Sequence, residues 1–234
     1  MERRNFTSAC LAVPASLVLM AARHAYALSL GDLSSGDAAS GVRAALEKGA
    51  TVAVSLLGRP DGFLGNPKVR IPLPGYLENG ASMLRMIGQG RRIDELVTAM
   101  NRAAEQAVPA AKDLLVSAVR SMSVADAKSI LTGGDTSVTQ FFVGKTRTPL
   151  TERFLPVVTA ATVKVQLADK YNRLAGKAAD FGLVKQEDAN IQRYVTGKSL
   201  DGLYLIIGDE ERKIRQDPVG SGSAILQKVF GALR

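Results

Sequence analysis

An all-helical fold is predicted by three features of this sequence. Apolar residues recur at three- and four-residue spacing through most of residues 37–215. No stretch alternates apolar and polar residues as a half-buried strand does. Capping residues precede the apolar-periodic stretches, and Gly or Pro follows them. The expectation is a compact multi-helix domain of about eight to nine helices with one long Pro/Gly-rich loop.

The elements follow in order. Ala38, Val42, Ala45, Leu46, Gly49, Val52, Ala53 and Leu56 share one helical face after Asp37, an N-cap candidate, which predicts a helix from about 37 to 57 ended by Gly58. The stretch 59–75 holds four prolines and three glycines, so no regular helix is expected there. A short helix over 76–87 precedes Gly88-Gln89-Gly90. The clearest amphipathic stretch follows. It places Ile93, Leu96, Val97, Met100, Ala103, Ala104 and Ala107 on one side, with Asp94, Glu95, Thr98, Asn101, Arg102 and Glu105 on the other.

Pro109 reads as the first turn of a new helix or a kink, after which Leu114, Leu115, Ala118, Val119 and Met122 resume the pattern. Ser123-Val124-Ala125-Asp126 reads as a helix start, and Gly133-Gly134 as a left-handed helix stop. Helices are then expected over about 136–147, over 149–165 after the N-cap candidate Thr148, and over 167–180, with Pro156 bending the second. The final long helix, about 188–215, buries Ile191, Val195, Leu203, Ile207 and Ile214, while Ser199 and Gly202 leave room for a close neighbour. Its end pairs Asp209 with Lys213 and Glu211 with Arg215 at four-residue spacing before Asp217-Pro218. A last amphipathic helix over 225–233 caps the domain.

The N-terminus reads as a cleavable export signal. Arg3 and Arg4 precede an apolar run over 9–22, and Ala25-Tyr26-Ala27 fits the small-x-small cleavage rule. The run is shorter than the roughly 20 residues a membrane-spanning helix needs. Residues 1–27 are thus the signal and 28–234 a single all-helical domain, with no transmembrane segment after cleavage and a periplasmic location. Arg3-Arg4-Asn5-Phe6 partly matches a twin-arginine core, but Glu2 and Thr7 depart from it, so the twin-arginine and general secretory routes both stay open. Cys10 stands at the start of the apolar run and not at its end, which argues against acylation.

Cleavage removes the only Cys, Cys10, and the only His, His24. Disulfides, thiolate nucleophiles, His general bases and Cys/His zinc sites leave with them. No cofactor and no metal are expected. Arg3, Arg4 and Arg23 against Glu2 carry +2 of the chain's +8, leaving +6 on the mature part. That excess permits attraction to an anionic membrane surface or other acidic partners.

The chain resembles an exported bacterial family catalogued as domain of unknown function 4197. The strings that carry the resemblance are Leu30-Gly31-Asp32-Leu33, Asn66-Pro67-Lys68-Val69-Arg70-Ile71-Pro72-Leu73-Pro74-Gly75, Met100-Asn101-Arg102-Ala103-Ala104-Glu105, Ile130-Leu131-Thr132-Gly133-Gly134-Asp135, Thr151-Glu152-Arg153-Phe154-Leu155-Pro156 and Leu200-Asp201-Gly202-Leu203. The resemblance spans nearly all of the mature chain. It implies export and a helical fold, and brings no catalytic residue, cofactor or substrate.

Gly144-Lys145-Thr146 invites a phosphate-loop reading, but Thr139 stands where such a loop needs its first glycine, and the preceding residues read as helix. Asp94, Glu95 and Glu105 are read as a solvated helix face, not an acid/base pair. The better binding candidates are Lys68 and Arg70, which alternate with Val69 and Ile71 in a Pro-flanked string, together with Asn101, Arg102 and Lys145. A rigid, Pro-pinned crossover with its charges facing water is the competing reading of the same loop. Nucleic acid is not expected, since neither interleaved aromatics nor a dense basic run is present.

These residues point to a non-enzymatic periplasmic or envelope protein. One version is a protein-interaction or surface-binding module whose partner is an envelope protein. Another is a carrier of a hydrophobic, lipid-like small molecule in a cavity between helices. The alternative to both is an enzyme that works without His or Cys.

Overall fold

A computed structural model describes residues 35–134, 136–182, 185 and 188–217. Within them the chain is helical and contains no strand. The elements are α1 (Ser35–Leu57), α2 (Gly75–Met86), α3 (Gly90–Ala107), a 3-10 turn (Val108–Ala111), α4 (Lys112–Arg120), α5 (Val124–Thr132), α6 (Ser137–Thr162), α7 (Gln166–Asp180) and α8 (Ile191–Gln216). The export signal expected over 1–27, with Cys10 and His24, and the helix expected over 225–233 both lie outside the described residues. No described helix is long and apolar enough to cross a membrane.

The bundle is built on α6 and α8, which run antiparallel. Gln192 near the start of α8 donates to the Thr162 hydroxyl at the end of α6, and Tyr204 and Thr146 share a buried hydrogen bond of 3.0 Å midway along. α1 lies against α8 at Gly49, where an added Cβ would sit 3.7 Å from Glu210 Cβ. Ala39, Ala45, Ala50 and Ala53 are buried along α1, and side chains this small let helix axes approach closely. α4 and α5 close the far side of α1, where Arg43 donates to the Met122 carbonyl at 2.6 Å. The core face of α3 is the one its periodicity dictates: Ile93, Leu96, Met100, Ala103, Ala104 and Ala107 are all buried.

Several local expectations are corrected. Asp37 sits inside the first turn of α1, not at its N-cap, where its charge still complements the helix dipole. The two helices expected on either side of Thr148 are one continuous α6 with Pro149 and Pro156 inside it. The reason is its buried row: Val138, Phe142, Thr146, Leu150, Phe154, Val158 and Thr162 recur every four residues straight through both prolines. Burial of that row against α3 and α8 outweighs the roughly 3 kcal/mol that an interior proline costs. Gly133 is not left-handed. Its φ of −79° and ψ of 161° are extended, and glycine is needed for space, since a Cβ there would lie 2.6 Å from both Ser129 O and Ser137 Cβ. At the end of α8, Asp209 pairs with Arg212 and Lys68, and Lys213 pairs with Glu210, in place of the expected Asp209–Lys213 pair, while the side chain of Arg215, expected to pair with Glu211, lies outside the described residues.

Two short-range expectations hold. Ser123 and Asp126 form a reciprocal capping box at the start of α5, and Pro109 sits in the first turn of the 3-10 segment that leads into α4.

Candidate functional site: the loop and groove face of α8

Residues 58–74 connect α1 to α2 without regular structure, so their backbone groups need partners from elsewhere. α3 supplies most of them. Glu105 Oε1 accepts the N–H groups of Phe63 and Leu64 at 3.0 and 3.1 Å. Arg102 binds the other carboxylate oxygen at 2.7 Å and reaches Asp61 at 2.8 Å, which holds Asp61 at a φ of 63°, in the left-handed region. Hydrogen bonding to Glu105 is the main cause that raises the Arg102 pKa above its ordinary value. Further along, Asn101 clasps the Ile71 peptide, and the Tyr194 hydroxyl donates to the Pro72 carbonyl at 3.2 Å.

With its ends held, the segment 66–72 lies along α8. Phe63 and Val69 close over Gly202, where an added Cβ would be 2.9 Å from the Phe63 ring and 3.2 Å from Val69 Cβ. Alternation then turns Lys68 and Arg70 outward while Val69 and Ile71 are buried. Lys68 Nζ bonds Asp209 at 2.8 Å.

Two open grooves flank this part of α8. One, of about 230 Å³, runs between the loop and α8 and is lined by Lys68, Arg70, Lys198 and Asp201 among others. The other, of about 410 Å³, runs between α6 and α8 past Val143, Arg147, Tyr204, Gly208 and Arg212. Asp201 and Leu205 line both, and Leu205, 46% exposed, stands as an apolar ridge between them.

Among the described residues, Lys68, Arg70, Lys198, Arg147 and Arg212 bring five cations to these grooves, against the carboxylates of Asp201 and Asp209. Asp209 is held below the usual carboxylate range, first by Lys68 and then by Arg212. Asp201 pairs with Arg147 at 2.9 Å. The Lys198 ammonium lies 5.8 Å from the Tyr194 ring centroid. The face is thus cationic, with an apolar ridge through its middle.

The five binding candidates read from the sequence divide in the structure. Lys68 and Arg70 meet at the first groove. Asn101 is fully buried and its amide is spent on Ile71 and on the Val97 carbonyl, so its place on the polar face of α3 is corrected. Glu105 is corrected in the same way: read as solvated, it is 4% exposed because the loop brings two backbone donors and Arg102 to it. Asp94 and Glu95 do face solvent. Arg102 is half-buried and faces the loop. Lys145 is exposed on α6, where it helps, after the Ser123 hydrogen bonds, to lower the Asp126 pKa, and it lines neither groove. Gly144-Lys145-Thr146 lies in mid-helix, with the Thr146 hydroxyl donating to the Phe142 carbonyl.

Sequence reasoning missed Lys198, Leu205 and Arg212. Their seven-residue spacing, with Asp201 and Gly208 between, places all five on one stripe of α8 and was the available signal.

Comparison with curated proteins finds no match, and comparison with solved structures finds none either. The model of a family described as "Protein of unknown function (DUF4197)" matches residues 32–231, nearly the whole chain and every element described above, and the chain belongs to that family.

Proposed function

We propose that this protein is a non-enzymatic interaction module of the bacterial envelope that binds an acidic protein segment across the groove face of α8. In this reading residues 1–27 direct the chain to the periplasm and are removed. The single observation that carries the reading is the pair of adjoining grooves: five cations surround the exposed Leu205 ridge, and Arg70 and Lys198 have no carboxylate partner among the described residues. An extended acidic chain would place carboxylates on those two cations and an apolar side chain against Leu205.

Glu105 offers no support for the enzyme alternative, because its oxygens are occupied by Phe63, Leu64 and Arg102. The carrier alternative has one specific support, the 410 Å³ groove with Val143, Tyr204 and Leu205 on its walls. That groove is open to solvent and edged by Arg147 and Arg212, which fits a peptide better than a wholly apolar ligand.

Fluorescence anisotropy with labelled poly-glutamate tests the proposal. Binding is expected to weaken with salt and to fall about tenfold or more in Arg70→Glu/Lys198→Glu, since like charge across an interface is repulsive. Affinity unchanged by that double charge reversal, with the variant folded by circular dichroism, would sink it.

A further inference from the structure

We propose a second, separate binding surface: the end of the bundle where the α2–α3 turn meets the α6–α7 turn docks on an anionic lipid bilayer. Met86 and Ile87 are 79% and 65% exposed, and they stand side by side where α2 ends, in a turn that Gly88 closes at a φ of 78°. Val163, 55% exposed, follows the end of α6. The two turns are neighbours: Arg92 and Glu95 from the start of α3 line one cleft of about 460 Å³ with Lys164, Val165 and Leu167. Single exposed apolar residues are ordinary on a protein surface, but three large ones gathered at one end are not.

The charges around them select the occupant. Arg85, Arg91, Arg92 and Lys164 flank the same two turns, and the carboxylates there are Asp94, paired with Arg85 at 3.6 Å, and Glu95, paired with Arg91 at 2.9 Å. Arg92 and Lys164 are exposed and without a carboxylate partner among the described residues. Large exposed aliphatic side chains on turns flanked by cations match a bilayer interface, where the aliphatic groups enter the acyl boundary and the cations meet lipid phosphates. Leu205 lies between two grooves that can seat a peptide, whereas Met86 and Ile87 line neither those grooves nor the cleft beside them and project as a tip.

The chain contains no Trp, so a single Ile87→Trp substitution places a sole tryptophan, excited selectively over the tyrosines, at the tip. The protein is purified as the cell processes it, with its N-terminus fixed by mass spectrometry, and mixed with vesicles of phosphatidylglycerol and phosphatidylcholine or of phosphatidylcholine alone. Ile87→Trp emission is expected to shift to the blue and to be quenched by brominated acyl chains on the anionic vesicles only. Co-sedimentation with those vesicles is expected to fall about fivefold or more in Met86→Ser/Ile87→Ser and in Arg92→Gln/Lys164→Gln, consistent with the loss of buried apolar area and of charge near the surface. Leu205→Trp, on the groove face, is expected to stay silent. Absence of vesicle binding, equal binding to neutral vesicles, binding that survives the Met86/Ile87 change, or a response at position 205 in place of 87 overturns the proposal.

Discussion

Asn101 pairs with both main-chain groups of Ile71, its Oδ1 accepting the Ile71 N–H at 2.8 Å and its Nδ2 donating to the Ile71 carbonyl at 3.0 Å. The amide does for this loop what a neighbouring strand does in a sheet, in a stretch where Pro72 and Pro74 have no N–H to offer. Both residues are buried, so truncating the side chain leaves two backbone groups unpaired away from water. Each such group costs about 1–3 kcal/mol, and Asn101→Ala is expected to lose about 3 kcal/mol in urea unfolding. Asn101→Asp keeps the acceptor but turns an oxygen toward the Ile71 and Val97 carbonyls, so it should do no better. An Asp variant as stable as the parent would show that the loop is held by something else.

Glu105 sets a graded test of the same anchor. Glu105→Gln keeps an oxygen for the Phe63 and Leu64 N–H groups but presents an amide N–H to the Arg102 guanidinium. The expected loss is about 1–2 kcal/mol, against about 3–5 kcal/mol for Glu105→Ala, which strands two donors and a cation. Equal losses for the two variants would mean that the Arg102 contact, not the backbone bonds, is what matters.

These two residues also mark where the sequence stops being readable. The apolar face of α3 was legible because burial against the core follows a 3.6-residue period, and the Ser123–Asp126 box because it is complete within four residues. Asn101 and Glu105 have the composition of a solvated face. What buries them is a loop 30 to 42 residues away whose donors they satisfy, and no local pattern reports that. Three of the strings that carry the family resemblance, 66–75, 100–105 and 200–203, meet at this clasp. α6 failed for a related reason. Proline is a local stop signal, but the four-residue row of buried side chains decides over the whole helix. Of the groove face, only the loop cations were legible, because the outward stripe of α8 is defined by which neighbours cover the rest of that helix.

Two glycines of α8 separate close approach from helix propensity. A Cβ at Gly202 would press on Phe63 and Val69, whereas one at Gly197 meets nothing within 4 Å. Gly202→Ala is expected to cost about 1–3 kcal/mol by overpacking. Gly197→Ala is expected to gain about 0.5–1 kcal/mol, because alanine loses less backbone entropy in a helix. Thermal unfolding of the two variants side by side checks the opposite signs. A destabilised Gly197→Ala would place an unseen neighbour on that face.

Tyr194 predicts the alkaline limit of the fold. Its phenol pKa is pushed up to about 12, first by burial and then by Asp188, Tyr171 and Glu78, against an ordinary value of 10.0. A group whose folded pKa is raised favours the native state fully below its unfolded pKa and loses that contribution as pH climbs to the folded one. The window here is pH 10 to 12. Ionisation would also remove the proton that the hydroxyl donates to the Pro72 carbonyl, so the loop anchor and the titration are one event. Allowing for partial solvation of the ring edge, Tyr194 is expected to contribute about 1–2 kcal/mol of stability that disappears across that window. Urea midpoints of the parent and Tyr194→Phe at pH 8, 10 and 11 measure it. The gap between the two proteins should narrow or invert as pH rises, while the shared decline from Tyr204, whose pKa burial also raises, stays common to both. Parallel curves through pH 11 would show that the Tyr194 hydroxyl titrates as freely in the folded chain as in the unfolded one.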